Sequence, residues 1–128
     1  MIFDASAILN LARRNDLEKA RQGKTSSLIF YEIGNSLWKE AKLLKRITLE
    51  EAIFSINSIV NFIEQEMTTI RPDYDHALEI AIKNNITFYD ASYISLAIKL
   101  NDILVTDDKS LAMKIQNIVK VKSSREIK

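Results

Sequence analysis

Two features of the sequence predict an α/β fold with helices on both faces of a mostly parallel sheet. Along the 128 residues, short apolar runs alternate with longer segments of helical periodicity, and parallel strands need such crossover connections. Glycine (2) and proline (1) are too rare for a turn-rich β-sandwich or barrel. No linker-like or repeated stretch divides the chain, so we expect one domain over residues 1–128.

The first part of the chain is predicted to contain short strands and two helices. Met1–Phe3 is an apolar run typical of a strand, Ala5–Ala12 has helical spacing, and Thr25–Ser27 is a candidate extended segment. Leu28–Lys45 is predicted to be one long helix. Its apolar side comprises Ile29, Ile33, Leu37, Trp38, Ala41 and Leu44.

A capping box opens the next predicted helix. Glu51 follows Thr48 by three residues, so the hydroxyl and the carboxylate can each satisfy one free backbone N–H group. Apolar residues then continue at helical spacing to Gln65. Met67–Ile70 is predicted to be a strand, and Pro72 ends it because proline has no N–H to donate.

Helices and strands alternate in the rest of the chain. Asp73 begins a predicted helix that ends at Asn84 and Asn85, and its apolar side comprises Ala77, Leu78, Ala81 and Ile82. Four more elements are predicted: a helix rich in small residues, a strand buried on both faces, another helix and a last strand. They span Asp90–Leu100, Ile103–Val105, Asp108–Gln116 and Ile118–Val121.

The composition excludes several kinds of site. With no cysteine and 1 histidine, the chain cannot form a disulfide, a thiolate zinc site or a multi-histidine metal centre. A formal net charge of +1 does not by itself indicate a nucleic-acid partner. No apolar stretch approaches the roughly 20 residues of a membrane span, and the amino terminus lacks a signal-peptide pattern. We therefore expect a cytoplasmic protein without membrane contact.

Acidic residues follow two of the predicted strands. Asp4 comes directly after the first strand, and Asp107 and Asp108 follow the inner one; ligand sites of parallel sheets lie at these strand ends. Glu32 and Asp90 are further candidates because apolar residues surround them in the sequence. Each also has a structural explanation: helix capping for Asp4, Asp90 and Asp108. A surface position remains open for Glu32 and Asp107.

Several carboxylates in one pocket need a counter-charge, because like charges at close range repel each other. A divalent cation removes that repulsion. All-oxygen ligands without cysteine select a hard ion such as Mg²⁺ or Mn²⁺. Such an ion activates water and stabilises charge on a phosphoryl group. The acidic residues therefore indicate phosphate or phosphodiester chemistry.

Four segments follow one another in an order that covers essentially the whole chain. They are Phe3–Ser6, Glu32–Trp38, Tyr89–Ala97 and Leu104–Leu111. Together they resemble the PIN-domain ribonucleases, especially the short VapC-type toxins of prokaryotic toxin–antitoxin pairs. The resemblance implies a PIN-like three-layer α/β/α fold and a metal-dependent endoribonuclease. It also implies RNA as substrate, a cognate antitoxin protein laid across the site, and a homodimer.

The resemblance also implies which residues form the site. The catalytic acids would be Asp4, Glu32, Asp90 and Asp108, with the metal, Mg²⁺ or Mn²⁺, on Asp4, Asp90 and Asp108. Supporting roles are expected for the Ser6 and Thr106 hydroxyls, for Asp107, and for Asn35 one helical turn from Glu32.

Basic residues near these acids are candidates for RNA contact, with a solvated surface as the alternative. They are Arg13, Arg14, Lys39 and Lys109. Two other functions remain open: an RNA-processing nuclease without an antitoxin, and a non-catalytic PIN-like binding or dimerisation module. A phosphoacceptor receiver domain also uses strand-end aspartates. It needs a central aspartate that Met67–Pro72 does not supply.

Overall fold

A parallel sheet of five short strands lies at the centre of the computed structural model, which describes residues 1–128. The strands are β1 (Ile2–Phe3), β2 (Lys24–Ser26), β3 (Thr68–Ile70), β4 (Leu104–Val105) and β5 (Val121–Lys122). Their order across the sheet is β3-β2-β1-β4-β5. The predicted α/β class, and the three-layer arrangement implied by the resemblance, are confirmed.

Six α-helices connect and cover the strands. They are α1 (Ala5–Arg13), α2 (Ile29–Trp38), α3 (Leu49–Glu66), α4 (Tyr74–Asn84), α5 (Phe88–Lys99) and α6 (Lys109–Ile115). A π-helical turn, Lys39–Leu43, extends α2, and 3₁₀ turns cover Leu17–Ala20 and Ser124–Glu126. α5 packs on the central strands and on α4, whereas α1, α2 and α3 contact one another in sequence.

Side-chain caps fix where the helices begin. Thr48 and Glu51 form the predicted capping box at α3, and the Asp73 carboxylate caps α4. The predicted start of α5 is wrong: the helix begins two residues earlier, at Phe88, because the Thr87 hydroxyl caps it by accepting from the Asp90 N–H at 3.1 Å. The Asp90 carboxylate therefore has no capping role.

Some predicted apolar faces are only partly buried. The Leu28–Lys45 helix changes to a π turn after Trp38, and Trp38 and Leu44 each expose 51% of their surface. In α4, Leu78 and Ile82 face solvent, while Ile80 lies in the core. A helix that packs by one face buries only a narrow stripe. The last strand, predicted at Ile118–Val121, lies nearer the carboxyl end.

The middle strands place two loops side by side. Ile2 of β1 lies beside Lys24 on one side and Leu104 on the other, and all residues of β1 and β4 are buried. Because the strands are parallel, the residue after β1 and the residues after β4 leave the sheet at the same edge. Asp4 and the Thr106–Asp108 loop are therefore neighbours.

None of the helices has the length and apolar content needed to cross a bilayer.

The two glycines provide a matched test of this packing. A Cβ on Gly23 would lie 2.6 Å from the Phe3 ring and 2.9 Å from the Ala20 carbonyl oxygen, whereas one on Gly34 would meet only Ile56 at 3.5 Å. We expect Gly23→Ala to lower the free energy of unfolding by about 1–3 kcal/mol. Gly34→Ala, in the middle of α2, should raise it by about 0.5–1 kcal/mol. Urea unfolding followed by circular dichroism measures both, and equal effects would contradict the assigned packing of β1.

Candidate active site

A cavity of about 370 Å³ opens at the edge of the sheet where β1 and β4 end. Its wall includes all four acids proposed from the sequence as catalytic, together with Glu40 and Asp107. The acids arrive from different elements. Asp4 follows β1, Glu32 lies in α2, Asp90 in α5, and Asp108 follows β4. The fold thus brings together side chains that are far apart in the sequence.

Asp4 is the most buried of these acids, with 4% of its surface exposed. It is the N-cap of α1, so one carboxylate oxygen accepts from the Ala7 N–H at 2.9 Å and from the Ser6 hydroxyl at 2.7 Å. These contacts use the same oxygen, Oδ1. They compensate part of the cost of burying the charge.

Hydroxyl groups join the loop after β1 to the loop after β4. The Ser6 Oγ accepts from the Asp107 N–H at 2.9 Å and lies 3.3 Å from the Thr106 Oγ1. The Thr106 Oγ1 in turn accepts from the Asp108 N–H at 3.2 Å. Asp108 then caps α6 by accepting from the Leu111 N–H at 3.0 Å. This chain of contacts sets the position of Asp108 relative to Asp4.

Glu32 and Tyr93 carry the two buried polar side-chain atoms that have no hydrogen-bond partner. One is Oε1 of Glu32 and the other is the hydroxyl of Tyr93, whose side chain is 1% exposed. The Tyr93 hydroxyl approaches the Glu32 carboxyl closely enough to lower its pKa, without the geometry of a formed hydrogen bond. Native proteins rarely leave buried polar atoms without partners, so Oε1 of Glu32 is a candidate ligand for a cation.

Burial raises the pKa of the acids in this cavity. It raises the pKa of Asp4 to about 6, against hydrogen bonds from Thr106, Ala7 and Ser6 that lower it. It raises the pKa of Glu32 to about 7, with smaller contributions from the charges of Asp90 and Asp4. The pKa of Asp90 is raised as well, again mainly by burial and also by Asp108. When ionised, these neighbouring carboxylates therefore repel one another in a poorly solvated space.

The chemistry of these side chains suits a hard divalent cation. All the donors are oxygen atoms, and the Glu32 oxygen has no protein partner. No three of the acidic or histidine side chains are arranged to ligate one ion together. The acids therefore surround the cavity without already forming a coordination shell, and a bound cation would have to draw them inwards.

Asp107 has a different role from the other acids. It accepts from the Ser124 N–H at 2.7 Å, the Ser124 hydroxyl at 2.5 Å and the Asn10 amide at 2.9 Å. Burial alone would raise its pKa, but the hydrogen bonds from Ser124 and Asn10 hold the pKa below its usual value. Asp107 is half-buried, and its hydrogen bonds tie the carboxyl-terminal turn to α1.

The other residues named from the sequence divide between the cavity and its surroundings. Asn35 is exposed and lies outside the cavity, whereas Ser36, four residues after Glu32, lines it. Arg13 and Lys39 lie on the cavity wall, and Arg14 and Lys109 line an adjoining groove. Sequence reasoning also missed Tyr93, although its position three residues after Asp90 puts both on one helix face.

The raised pKa of Glu32 predicts a pH-dependent stability in metal-free protein. A carboxyl whose pKa rises from 4.5 to about 7 on folding makes the folded state bind more protons, so stability should fall as the pH increases between these values. Glu32→Gln removes this loss, so the variant should be more stable than the wild type at pH 8 and change little at pH 4.5. Thermal unfolding in EDTA at both pH values measures the effect.

Glu64→Gln is the matched control, because Glu64 is exposed in α3. It should leave the pH dependence as in the wild type. If Glu32→Gln gives the same stability increment at both pH values, the burial of an ionised Glu32 is not the cause.

Comparison with known proteins identifies the family. The family model of the PIN domain matches residues 1–114. Exonuclease VapC9 of Pyrobaculum aerophilum is 32% identical over 124 residues, covering 95% of this chain and 90% of the relative. Ribonuclease VapC3 of the same organism is 32% identical over 130 residues, covering 93% and 97%.

Solved structures agree with the fold. A Pyrobaculum aerophilum crystal structure has a TM-score of 0.79 and 32% identity, and covers 97% of this chain and 90% of that one. VapBC-1 of nontypeable Haemophilus influenzae has a TM-score of 0.62 at 16% identity, with 98% and 100% covered. On the family match and the identity to curated relatives, the chain belongs to the PIN-domain family.

Proposed function

We propose that this protein is a Mg²⁺- or Mn²⁺-dependent endoribonuclease, the toxin of a toxin–antitoxin pair. The observation that carries the proposal is the single cavity shared by Asp4, Glu32, Asp90 and Asp108. Two relatives at 32% identity are named exonuclease and ribonuclease, which supports a nuclease. We also propose that residues 1–128 form one domain acting in the cytoplasm.

Three of the four acids would hold a cation, and the fourth would transfer a proton. Asp4, Asp90 and Asp108 would hold the ion, which when bound lowers the pKa of water and stabilises charge on phosphate. The hydroxyl contacts of Ser6 and Thr106 hold the loop that contains Asp4 next to the loop that contains Asp108. Glu32 lines the same cavity, and its Oε1 has no protein partner, so Glu32 would accept a proton from an attacking water.

Cleavage inside an RNA chain is the proposal that follows from the resemblance. The acidic cavity is not a closed pocket, because Asn10, Arg13, Asp107 and Asp108 line both it and a larger adjoining groove. An RNA strand bound at the acids can therefore continue into the adjoining groove. One relative carries the name exonuclease, so a circular substrate is needed to decide the point.

A protein partner is proposed from the surface beside the cavity. Exposed apolar side chains extend from α2 through the π turn into α3: Tyr31, Trp38, Leu43, Leu44, Leu49, Ile53 and Phe54. Exposed apolar patches of this kind mark protein interaction sites. Structures of toxin–antitoxin complexes share the fold, and we propose an antitoxin on this surface. Homodimerisation is proposed on the resemblance alone.

The nuclease proposal predicts loss of activity when single acids are neutralised. Asp4→Asn and Asp90→Asn should each reduce Mn²⁺-dependent RNA cleavage by roughly 100-fold or more, while thermal stability is kept or increased. Asp75→Asn, at an exposed position of α4, is the control and should cleave as the wild type does. Gel electrophoresis of labelled linear and circular RNA measures the cleavage.

Each outcome of this assay bears on the proposal. Cleavage of the circular RNA supports an endonuclease, and cleavage of the linear RNA alone would assign an exonuclease instead. If neither RNA is cleaved by the wild type with Mn²⁺ or Mg²⁺, the non-catalytic binding module becomes the better description. Full activity of Asp4→Asn would remove the acidic mechanism.

Metal binding should be accompanied by proton release. Because the pKa values of Asp4 and Glu32 are about 6 and about 7, both acids are partly protonated at pH 6 and largely ionised at pH 8. Mn²⁺ should therefore displace roughly one to one and a half protons per ion at pH 6 and almost none at pH 8. Calorimetric titration in two buffers of different ionisation enthalpy measures this. Equal proton release at both pH values would contradict the cation position next to these acids.

A further inference from the structure

A second concavity adjoins the acidic cavity at the β5 edge of the sheet. We call it the β5 groove; its volume is about 1640 Å³, and its walls are the end of α1, α6, β5 and the carboxyl-terminal 3₁₀ turn. Asn10, Arg13, Asp107 and Asp108 line both spaces. The groove is thus continuous with the acids.

The cations of the β5 groove are available to a ligand. Six basic side chains line it: Arg13, Arg14, Lys109, Lys120, Lys122 and Arg125. Four of them, Lys109, Lys120, Lys122 and Arg125, are exposed and take part in none of the ion pairs of the structure.

The anions of the β5 groove, in contrast, are mostly engaged. Asp102 is paired with the amino-terminal amine at 3.1 Å and with Lys24 at 3.2 Å. Asp107 is held by Ser124 and Asn10, and Glu126 accepts from the Ser123 N–H at 2.9 Å. Asp108 lies at the shared end, beside the acidic cavity. The lining holds six basic and four acidic side chains, so its formal charge is positive, and the charge of Glu126 lies within electrostatic reach of Lys122.

The lining of the β5 groove also indicates which part of a nucleic acid it would contact. It contains no phenylalanine, tyrosine or tryptophan, so bases have no aromatic surface on which to stack. Exposed lysine and arginine side chains favour phosphate groups instead. Such contacts depend on backbone charge and are independent of base sequence.

We propose that the β5 groove binds the phosphodiester backbone of single-stranded RNA and leads it to the acidic cavity. The inference rests on the proposed nuclease function and names the surface that holds its substrate. Lys122 and Arg125 are central to it. Lys122 lies in β5 opposite Val105, the last residue before the Thr106–Asp108 loop, and Arg125 follows in the adjoining 3₁₀ turn.

Another basic cluster provides a charge-matched control. Lys42 and Arg46 are exposed and without ion pairs, and they lie near the apolar patch proposed for a protein partner. They do not line either the groove or the acidic cavity. Removing two charges there tests whether net charge alone accounts for RNA binding.

The test measures binding separately from cleavage. Fluorescence anisotropy of a labelled, mixed-sequence single-stranded RNA is recorded in EDTA over a range of KCl concentrations. Lys122→Ala/Arg125→Ala should bind about tenfold more weakly, and its salt dependence, log K against log[KCl], should be shallower by about 1.4, which is about 0.7 per lost phosphate contact. Lys42→Ala/Arg46→Ala should stay within about twofold of the wild type, and melting curves check that both variants are folded.

The outcomes separate this inference from the nuclease proposal. Wild-type affinity in the groove variant, or equal weakening in both variants, overturns the groove assignment even if Mn²⁺-dependent cleavage is intact. Binding that depends on the groove without any cleavage supports the groove and overturns the nuclease. Displacement of the RNA by polyglutamate at equal charge concentration would assign the groove to an acidic protein segment instead of RNA.

Discussion

The burial of Asp4 among other carboxylates is the constraint on which the site depends. An ionised carboxylate is costly to remove from water unless hydrogen bonds or an opposite charge compensate it. The Ala7 N–H and the Ser6 hydroxyl supply part of that compensation, yet burial still raises the pKa of Asp4 to about 6. The remaining cost is what a divalent cation would offset. The stability of the metal-free fold and the affinity for metal are therefore two aspects of one energetic balance.

The sequence was sufficient for the fold class and for the position of the acids because both follow from local patterns. Apolar runs give the strands, and an aspartate directly after a strand lies at the carboxyl end of the sheet whatever the rest of the chain does. Asp4 and Asp108 both cap helices and also line the cavity, so capping does not exclude the site role proposed for them. For Asp90 the cap is Thr87, a local signal that the apolar pattern obscured.

What could not be predicted depends on contacts between distant parts of the chain. No local pattern relates Asp107 to Ser124, which lies 17 residues later. The Ser124 hydroxyl also accepts a hydrogen bond from the Arg14 guanidinium at 2.7 Å. Nor does spacing alone distinguish Asn35 from Ser36, since both are close to one turn from Glu32. The Glu32–Tyr93 pair needs α2 and α5 to pack before either polar atom is buried.

The central position of β1 has a consequence for how the protein is made. β1 is synthesised first, but one of its two neighbours, β4, comes from the last quarter of the chain. Long-range strand pairs of this kind form late, because a long loop must close before they gain any contact energy. A nascent chain emerging from the ribosome therefore carries Asp4, Glu32 and Asp90 before it has the strand that brings Asp108 beside them. The acidic pocket is a property of the finished polypeptide, and an amino-terminal fragment that stops before β4 cannot assemble it.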